Sequence, residues 1–257
     1  MVNLQGKVAL ITGASSGIGE ATAVHFAKLG CSLCVTGRNE AKLKEVADVC
    51  TATSGKTVLT VAVDLTSDQA YQQVIKATID QFGKLDILVN SAGIVVSGEV
   101  LSCPIEEYDR VMNVNVRSVV QLTKVCLPHL ISSKGSIVNV SSINGICSFA
   151  NVSYYCMSKG ALDQFTKCLA LEMAKHGVRV NSVNPGVIVT NVHKRAGMTD
   201  EKYAQFLEHS KTTHALGRVG EAEEVAKAIA FLASDDASFT TGELLRIDGG
   251  RGIMTPR

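Results

Sequence analysis

The chain has 257 residues, of which 46% are hydrophobic and 19% charged, and a formal net charge of +1. This balance is typical of a globular protein and does not favour a nucleic-acid partner or an anionic membrane surface. The N-terminus is a poor secretory signal and no apolar run is long enough to span a bilayer, so we expect a cytoplasmic protein with no membrane contact.

Short apolar runs rich in Val and Ile alternate with longer segments of helical periodicity. We predict strands at 7–12, 32–37, 57–64, 85–90, 135–141, 178–184 and 243–247, and helices at 18–29, 40–53, 68–82, 105–130, 153–176 and 222–233. Strands that are apolar on both faces indicate a parallel sheet covered by helices on both sides. The pattern therefore predicts a doubly wound α/β fold of about seven strands, as a single domain over residues 1–257.

Two features of this pattern need separate interpretation. The polar segment 190–215, after the sixth predicted strand, is expected to be a lid over a substrate. Cys31 and Cys34 have the spacing of a redox pair, but residues three apart in a strand point to opposite faces, so we expect inert, buried thiols. The other cysteines and the six histidines lack metal-ligand spacing, which predicts no bound metal.

The stretch "TGASSGIG", from Thr12 to Gly19, follows the first predicted strand and opens the first helix. Glycines there permit a tight turn and a close backbone approach, and the helix N-terminus favours an anion such as a diphosphate. The alternative is that this turn only connects a strand to a helix. On the first interpretation the cofactor contacts are Gly13, Ser15, Ser16, Gly17, Ile18 and Gly19.

With four later motifs, the glycine-rich turn resembles the short-chain dehydrogenase/reductase family. These motifs are "NSAG" at 90–93, "NVNVRS" around Asn115, "VSS" ahead of "YCMSK", and "NPGVIVT" at 184–190, and the resemblance covers essentially the whole chain. It implies a Rossmann-type fold, a nicotinamide-dependent oxidoreductase, and a homodimer or homotetramer paired through 105–130 and 153–176. Ser91 departs from the second Asn usual in the family, which we expect to affect stability modestly.

The second predicted strand ends with Gly37 and Arg38, where an enzyme that selects NAD usually has an acidic residue. Arg38 can bind a 2′-phosphate through charge-assisted hydrogen bonds, so we predict NADP as the cofactor. The alternative is a solvated surface arginine. Other cofactor contacts implied by the resemblance are Asp64, Leu65, Asn90, Ala92, Gly93, Tyr155, Lys159, Pro185, Gly186, Val187, Ile188 and Thr190.

Two adjacent tyrosines precede Lys159 in "SYYCMSK". In a helix, Tyr155 lies four residues before the lysine and shares its face, whereas Tyr154 lies roughly 140° around the axis. Tyr155 is therefore the predicted proton donor, with Lys159 expected to lower the pKa of the phenol. Tyr154 is expected to form part of the pocket wall. By itself this stretch would equally suit two aromatic residues that pack a helix.

The catalytic set implied by the resemblance is Asn115, Ser142, Tyr155 and Lys159. Ser142 matches the family spacing to the tyrosine and would donate a second hydrogen bond to a substrate carbonyl, while Ser141 is expected to be structural. Asn115 would hold a water in a proton relay to Lys159; the alternative is a polar side chain that bonds neighbouring backbone.

The expected reaction is reduction of a ketone or aldehyde by NADPH, reversible toward the alcohol. Seven apolar residues predict a hydrophobic substrate such as a steroid, isoprenoid or xenobiotic carbonyl compound: Ile146, Phe149, Val152, Val192, Met198, Phe206 and Leu207. The alternative is a 3-oxoacyl-thioester reductase that uses an acyl carrier protein, for which the basic surface looks diffuse. A non-catalytic NADP-binding protein is a further, less favoured alternative, because a binding module needs no proton relay.

Overall fold

One sheet of seven parallel strands occupies the centre of the computed structural model, which describes residues 2–254. The strands are β1 (Val8–Thr12), β2 (Ser32–Gly37), β3 (Leu59–Ala62), β4 (Ile87–Asn90), β5 (Ser136–Val140), β6 (Arg179–Pro185) and β7 (Leu244–Ile247). The α-helices are α1 (Gly17–Lys28), α2 (Glu40–Ser54), α3 (Ala70–Phe82), α4 (Ile105–Met112), α5 (Ser118–Ser133), α6 (Ser153–Ala174), α7 (Val192–Arg195), α8 (Asp200–Thr212) and α9 (Ala222–Ala233). The predicted Rossmann-type single domain is confirmed.

The strand order β3-β2-β1-β4-β5-β6-β7 places the first strand in the middle of the sheet. β1 pairs with β2 on one side, with Leu10 opposite Cys34, and with β4 on the other, with Leu10 opposite Leu88. The chain therefore adds β2 and β3 on one side of β1, returns across the sheet, and adds β4 to β7 on the other side. The order of the strands reverses at the boundary between β1 and β4. A crevice opens at such a point beyond the carboxyl ends of the strands, where ligands of open α/β sheets bind.

Apolar side chains cover both faces of the sheet because successive strand residues point to opposite sides. Ala9 and Ile11 of β1 pack with α1, α2 and α9 on one face, whereas Leu10 packs with α3, α5 and α6 on the other. Cys31 lies in the first of these cores and Cys34 in the second. The prediction that these two thiols diverge is confirmed.

Two segments differ from their predicted form. The single helix expected at 105–130 is α4 and α5 joined by a π-helical turn, Asn113–Arg117, and the lid segment 190–215 contains two helices, α7 and α8. A π-helical turn adds one residue to the helix, which the apolar periodicity does not reveal. Within residues 2–254 no helix is both long and apolar enough to cross a membrane.

Candidate active site

A cavity of about 510 Å³ lies at the carboxyl edge of the sheet, bordered by the loops that follow β1 to β6. Its volume is in the range of ordinary ligand pockets. Eighteen predicted site residues border it: Gly13, Ser15, Ser16, Gly17, Ile18, Arg38, Asp64, Leu65, Ala92, Gly93, Ser142, Tyr155, Lys159, Pro185, Gly186, Val187, Ile188 and Thr190. Gly19, Asn90 and Asn115 lie outside this lining.

The glycine-rich turn fits a bound diphosphate because its backbone is exposed to the cavity at the start of α1. Gly13 has φ +64°, and a Cβ there would lie 2.8 Å from backbone atoms of Ala92. Gly19 lets α1 pack closely against the turn, because a Cβ added at this position would lie only 2.5 Å from the Gly13 carbonyl oxygen. Ser16 caps α1 without a side-chain hydrogen bond to the helix, so the first N–H groups of α1 are left for an anion.

Asn90 braces the sheet beneath the cavity. Its amide donates to Asn139 Oδ1 at 2.9 Å and to Thr123 Oγ1 at 3.3 Å, and the residue is buried. Thr12 Oγ1 accepts hydrogen bonds at 3.0 Å from the backbone N–H groups of Ser91 and Ala92. These contacts hold the loop after β4 against the loop after β1. The Ser91 backbone therefore takes part in this brace.

Charged side chains surround the end of the cavity beyond β2 and β3. Arg38 borders it opposite Asp64, whose carboxylate accepts from the Thr66 backbone N–H at 2.9 Å and from its hydroxyl at 2.8 Å. These bonds, with the charge of Arg38, hold the pKa of Asp64 below its usual value. From the lid, Arg195 donates to Ser16 Oγ at 2.7 Å, and burial and the charge of Arg38 lower its pKa. Two guanidinium groups thus share this end, which suits a phosphate.

Tyr155, Ser142 and Lys159 meet at the wall formed by β5 and α6. Burial raises the pKa of Tyr155 to about 12, against a smaller opposing effect of a hydrogen bond with Ser142. The Ser142 hydroxyl is fixed by the short turn that follows it: it donates to Asn144 Oδ1 at 3.2 Å and accepts from the Asn144 N–H at 3.1 Å. The neutral phenol and the Ser142 hydroxyl each carry one O–H, so both can donate to one carbonyl oxygen once Ser142 turns its hydrogen away from Asn144.

Lys159 is buried, and its Nζ donates to the Val140 carbonyl oxygen at 2.9 Å. Burial lowers the pKa of Lys159 to about 8, although the charge of Asp163 acts in the opposite direction. Nζ lies 5.7 Å from the centre of the Tyr155 ring. We expected the lysine to lower the pKa of the phenol; the shift runs in the other direction because desolvation of a phenolate is its largest cause, and the charge of Lys159 does not contribute to it.

Asn115 lies in the π-helical turn behind the cavity wall. Its Oδ1 accepts from the Ile94 N–H and its Nδ2 donates to the Ile94 carbonyl oxygen, both at 2.9 Å; Nδ2 also donates to Ser158 Oγ at 3.0 Å. Gly93 lies beside it, since a Cβ there would be 3.3 Å from Asn115 Oδ1 and 3.6 Å from Lys159 Nζ. The side chain therefore bonds backbone, as the alternative interpretation expected, and the water relay stays a prediction.

A buried polar network fixes α6 to β6 and so sets the position of Lys159. Asn184 Nδ2 donates to the Ser142 carbonyl oxygen at 2.9 Å and to both carboxylate oxygens of Asp163 at 3.1 Å. Ser141 Oγ donates to the Lys159 carbonyl oxygen at 3.3 Å, which is the structural role expected for it. Both serines border the cavity, but the Ser141 hydroxyl is bonded within this network, whereas the Ser142 hydroxyl is bonded to Asn144 in its own loop.

The cavity contains four of the seven apolar residues that the sequence predicted for the substrate pocket. Phe149, Val152, Val192 and Phe206 border it, but Ile146, Met198 and Leu207 do not. Tyr154 does not border the cavity either: its ring packs edge-on against Tyr108, and its hydroxyl donates to the Cys103 carbonyl oxygen at 3.4 Å. The expected place of Tyr154 in the pocket wall was wrong because its helical direction turns it toward α4.

Several polar residues of the wall were not predicted, among them Asn144, His193, Arg195 and Arg251. Asn144 lies two residues after Ser142, and Arg251 lies in a short 3₁₀ turn after β7. The rule that ligands bind beyond the carboxyl ends of strands could have indicated both of these residues. His193 and Arg195 reach the cavity from α7, for which the sequence carried no periodic signal.

Comparison with known proteins finds similarity over nearly the whole chain. A family model described as enoyl-(acyl carrier protein) reductase matches residues 13–251. A meso-2,3-butanediol dehydrogenase from Serratia marcescens is 38% identical, with 95% of this chain and 94% of that protein aligned. A 3-oxoacyl-[acyl-carrier-protein] reductase from Thermotoga maritima is 37% identical over 97% and 99% of the two chains. A cofactor-bound short-chain dehydrogenase/reductase of unknown function from Caenorhabditis elegans superposes with a TM-score of 0.92 at 35% identity, covering 98% of this chain and 97% of that one.

Proposed function

The chain belongs to the short-chain dehydrogenase/reductase family, and we propose that it is an NADP-dependent oxidoreductase that reduces a ketone or aldehyde and oxidises the alcohol in reverse. One observation carries this proposal: Ser142, Tyr155 and Lys159 border the same cavity as the glycine-rich turn and Arg38. A non-catalytic nucleotide-binding protein would need no such set of proton-donating side chains. We place the protein in the cytoplasm, since all eight cysteines are free thiols, which suits a reducing compartment.

The residues of the chain divide the chemistry between them. The bound nicotinamide supplies the hydride. Tyr155 gives its proton to the carbonyl oxygen as negative charge develops there, and Ser142 donates a hydrogen bond to the same oxygen. Lys159 lies close to the phenol ring, and its proximity to Asn115 is consistent with replacement of the proton through water.

The preference for NADP rests on charge at the end of β2. Arg38 borders the cavity where an acidic residue would repel a 2′-phosphate, and Arg195 adds a second positive group from the lid. Arg38→Ala should raise the KM for NADPH by about tenfold or more and leave that for NADH nearly unchanged. A wild-type enzyme that uses NADH better than NADPH would contradict this preference.

The substrate is proposed to be a carbonyl compound with an apolar body, because Phe149, Val152, Val192 and Phe206 border the cavity. The test is a panel of ketones and aldehydes, steroidal and isoprenoid ones included, with NADPH and NADH, followed by the absorbance of reduced nicotinamide. Tyr155→Phe serves as the inactive control. A panel in which nothing is reduced by either coenzyme would favour the non-catalytic alternative.

A second candidate is a 3-oxoacyl-thioester reductase, which the similarity to the Thermotoga maritima enzyme favours. Such an enzyme meets an acidic carrier protein. Lys134 and Lys175 are exposed, but Arg117 is paired with Asp68 at 3.2 Å, so the basic surface is weak. Acetoacetyl thioesters of coenzyme A and of an acyl carrier protein belong in the same panel; a much higher kcat/KM for the carrier-bound thioester would establish this function.

We also propose that the protein forms a homodimer or homotetramer through the helical segments 105–130 and 153–176. Met157 is 52% exposed and Leu171 81% exposed on α6, and a partner would remove these apolar side chains from water. Light scattering after size-exclusion chromatography should give two or four chains, and Leu171→Glu should shift the distribution toward one. A wild-type protein that elutes as one chain at every concentration would refute this assembly.

A further inference from the structure

Arg251 is a positively charged side chain at the substrate end of the cavity that nothing in the proposed reaction uses. It lies after β7, in a 3₁₀ turn, and its guanidinium stacks over the Phe149 ring with 4.8 Å between the guanidinium carbon and the ring centre. Phe206 and His193 border the same cavity and pack against each other, with 4.6 Å between their ring centres. The guanidinium therefore stacks on Phe149 and lines the same cavity as Phe206 and His193.

The hydrogen-bonding groups of Arg251 are not satisfied by the protein. Its Nε and Nη1 are buried from solvent, and neither has a hydrogen-bond partner among residues 2–254. Buried guanidinium donors without partners are costly, so native structures supply them with an acceptor. Nε and Nη1 are closed to the cavity as well as to bulk solvent, so a ligand would meet the part of the guanidinium that lines the cavity wall.

The nearby charged groups do not neutralise Arg251. The carboxylate of Asp248 accepts from the backbone N–H groups of Gly250 at 3.0 Å and Gly252 at 2.8 Å, and within residues 2–254 no carboxylate lies within 4.0 Å of the guanidinium. Burial, with the charge of Arg251, lowers the pKa of both His193 and His214. This end of the cavity thus carries the unneutralised positive charge of Arg251.

We propose that Arg251 binds an acidic group of the substrate, so that the carbonyl compound accepted by this cavity is an oxo acid. This inference rests on the proposed carbonyl reductase function and specifies its substrate class. A carboxylate carries the charge and the acceptor oxygens that an unneutralised guanidinium binds through charge-assisted hydrogen bonds. The apolar part of the acid would then lie along Phe149 and Phe206, with its carbonyl toward Tyr155.

The test compares oxo acids with their neutral methyl esters. Acetoacetate, levulinate and benzoylpropionate, each with its ester, are assayed with NADPH on wild type, Arg251→Met and Arg251→Lys. For at least one pair the wild type should prefer the acid. Arg251→Met should raise the KM for that acid by about 10- to 100-fold and leave its ester nearly unchanged, with Arg251→Lys in between. Arg246→Met is the matched control, because Arg246 is an exposed arginine of β7 outside this cavity and should behave as wild type.

A second measurement separates this inference from the proposed function. The acids should raise the melting temperature of the wild-type protein with NADP⁺ present, and should not do so for Arg251→Met, whether or not turnover occurs. Equal KM values for acid and ester in every pair, or an equal loss for both in Arg251→Met, would overturn the role of Arg251. If acids, esters and neutral ketones all fail to react while an acid still stabilises only proteins with Arg251, the reductase function fails and the anion site stands.

Discussion

The substitution Gly13→Ala tests how the glycine-rich turn is built. Gly13 has φ +64°, and an added Cβ would lie 2.8 Å from the Ala92 Cα and N atoms and 2.9 Å from the Ser91 carbonyl oxygen. All three are backbone atoms, so no side chain can rotate away. Gly55, which ends α2, is the matched control: it has φ +70°, and a Cβ there would meet nothing within 4 Å.

Both variants place alanine at a positive φ, but only Gly13→Ala also brings a Cβ too close to neighbouring backbone atoms. Placing alanine in the left-handed region costs about 1–2 kcal/mol, offset in part by the lower chain entropy of the unfolded state. Gly55→Ala should therefore lose about 1 kcal/mol of unfolding free energy, or about 2–4 °C in Tm. Gly13→Ala must also separate the loops after β1 and β4, which should add about 1–3 kcal/mol. This separation would stretch the hydrogen bonds from Ser91 and Ala92 to Thr12 Oγ1.

Denaturant unfolding and coenzyme titration together test this reasoning. Gly13→Ala should lower the unfolding free energy by about 2–4 kcal/mol and weaken NADPH binding by more than about tenfold, since the turn that faces the diphosphate is displaced. Gly55→Ala should bind NADPH as wild type does. Equal losses of stability in the two variants, with unchanged NADPH binding in both, would refute the tight contact between the two loops.

Three further predictions concern the proton donor, the buried lysine and the lid. Tyr155→Phe should lower kcat by about 10²- to 10⁴-fold, whereas Tyr154→Phe should change it little, and the reverse ranking would reject the assignment. Burial lowers the pKa of Lys159 to about 8, so its ammonium is present below that pH and lost above it. In the reductive direction, kcat/KM for the coenzyme should therefore fall above about pH 8. A pH profile of kcat/KM that stays flat to about pH 10 would argue against this. Arg195→Met, which removes the contact with Ser16, should weaken NADPH binding by about tenfold in a fluorescence titration, while Lys194→Met should not; equal affinities would leave the lid without a part in coenzyme binding.

The sequence predicted the sheet, its covering helices and the residues that border the cavity at the glycine-rich turn, because these depend on local patterns. Apolar runs of four to seven residues mark strands buried on both faces. The four-residue spacing of Tyr155 and Lys159 needs only a helix to bring the two side chains to one face. Arg38 could be placed because it directly follows a strand whose carboxyl end must lie at the ligand edge.

Other parts of the site depend on contacts between distant segments and left no local signal. Arg195 reaches Ser16 from the four-residue helix α7, too short to have a recognisable period. Arg251 becomes part of the cavity only because β7 pairs with β6 at the end of the sheet. The pKa of Tyr155 moved opposite to the predicted direction, because desolvation is set by the packing of the complete fold.

The two cores contain different cysteines, so the reaction of each set of thiols would report when the helices on that face of the sheet open. Cys31 and Cys50 lie in one core, Cys34 and Cys126 in the other, and burial raises the pKa of each of these thiols. A thiol reagent can label them only after the layer above has opened. The order in which the two pairs react would therefore show which helical layer detaches first when the native protein fluctuates.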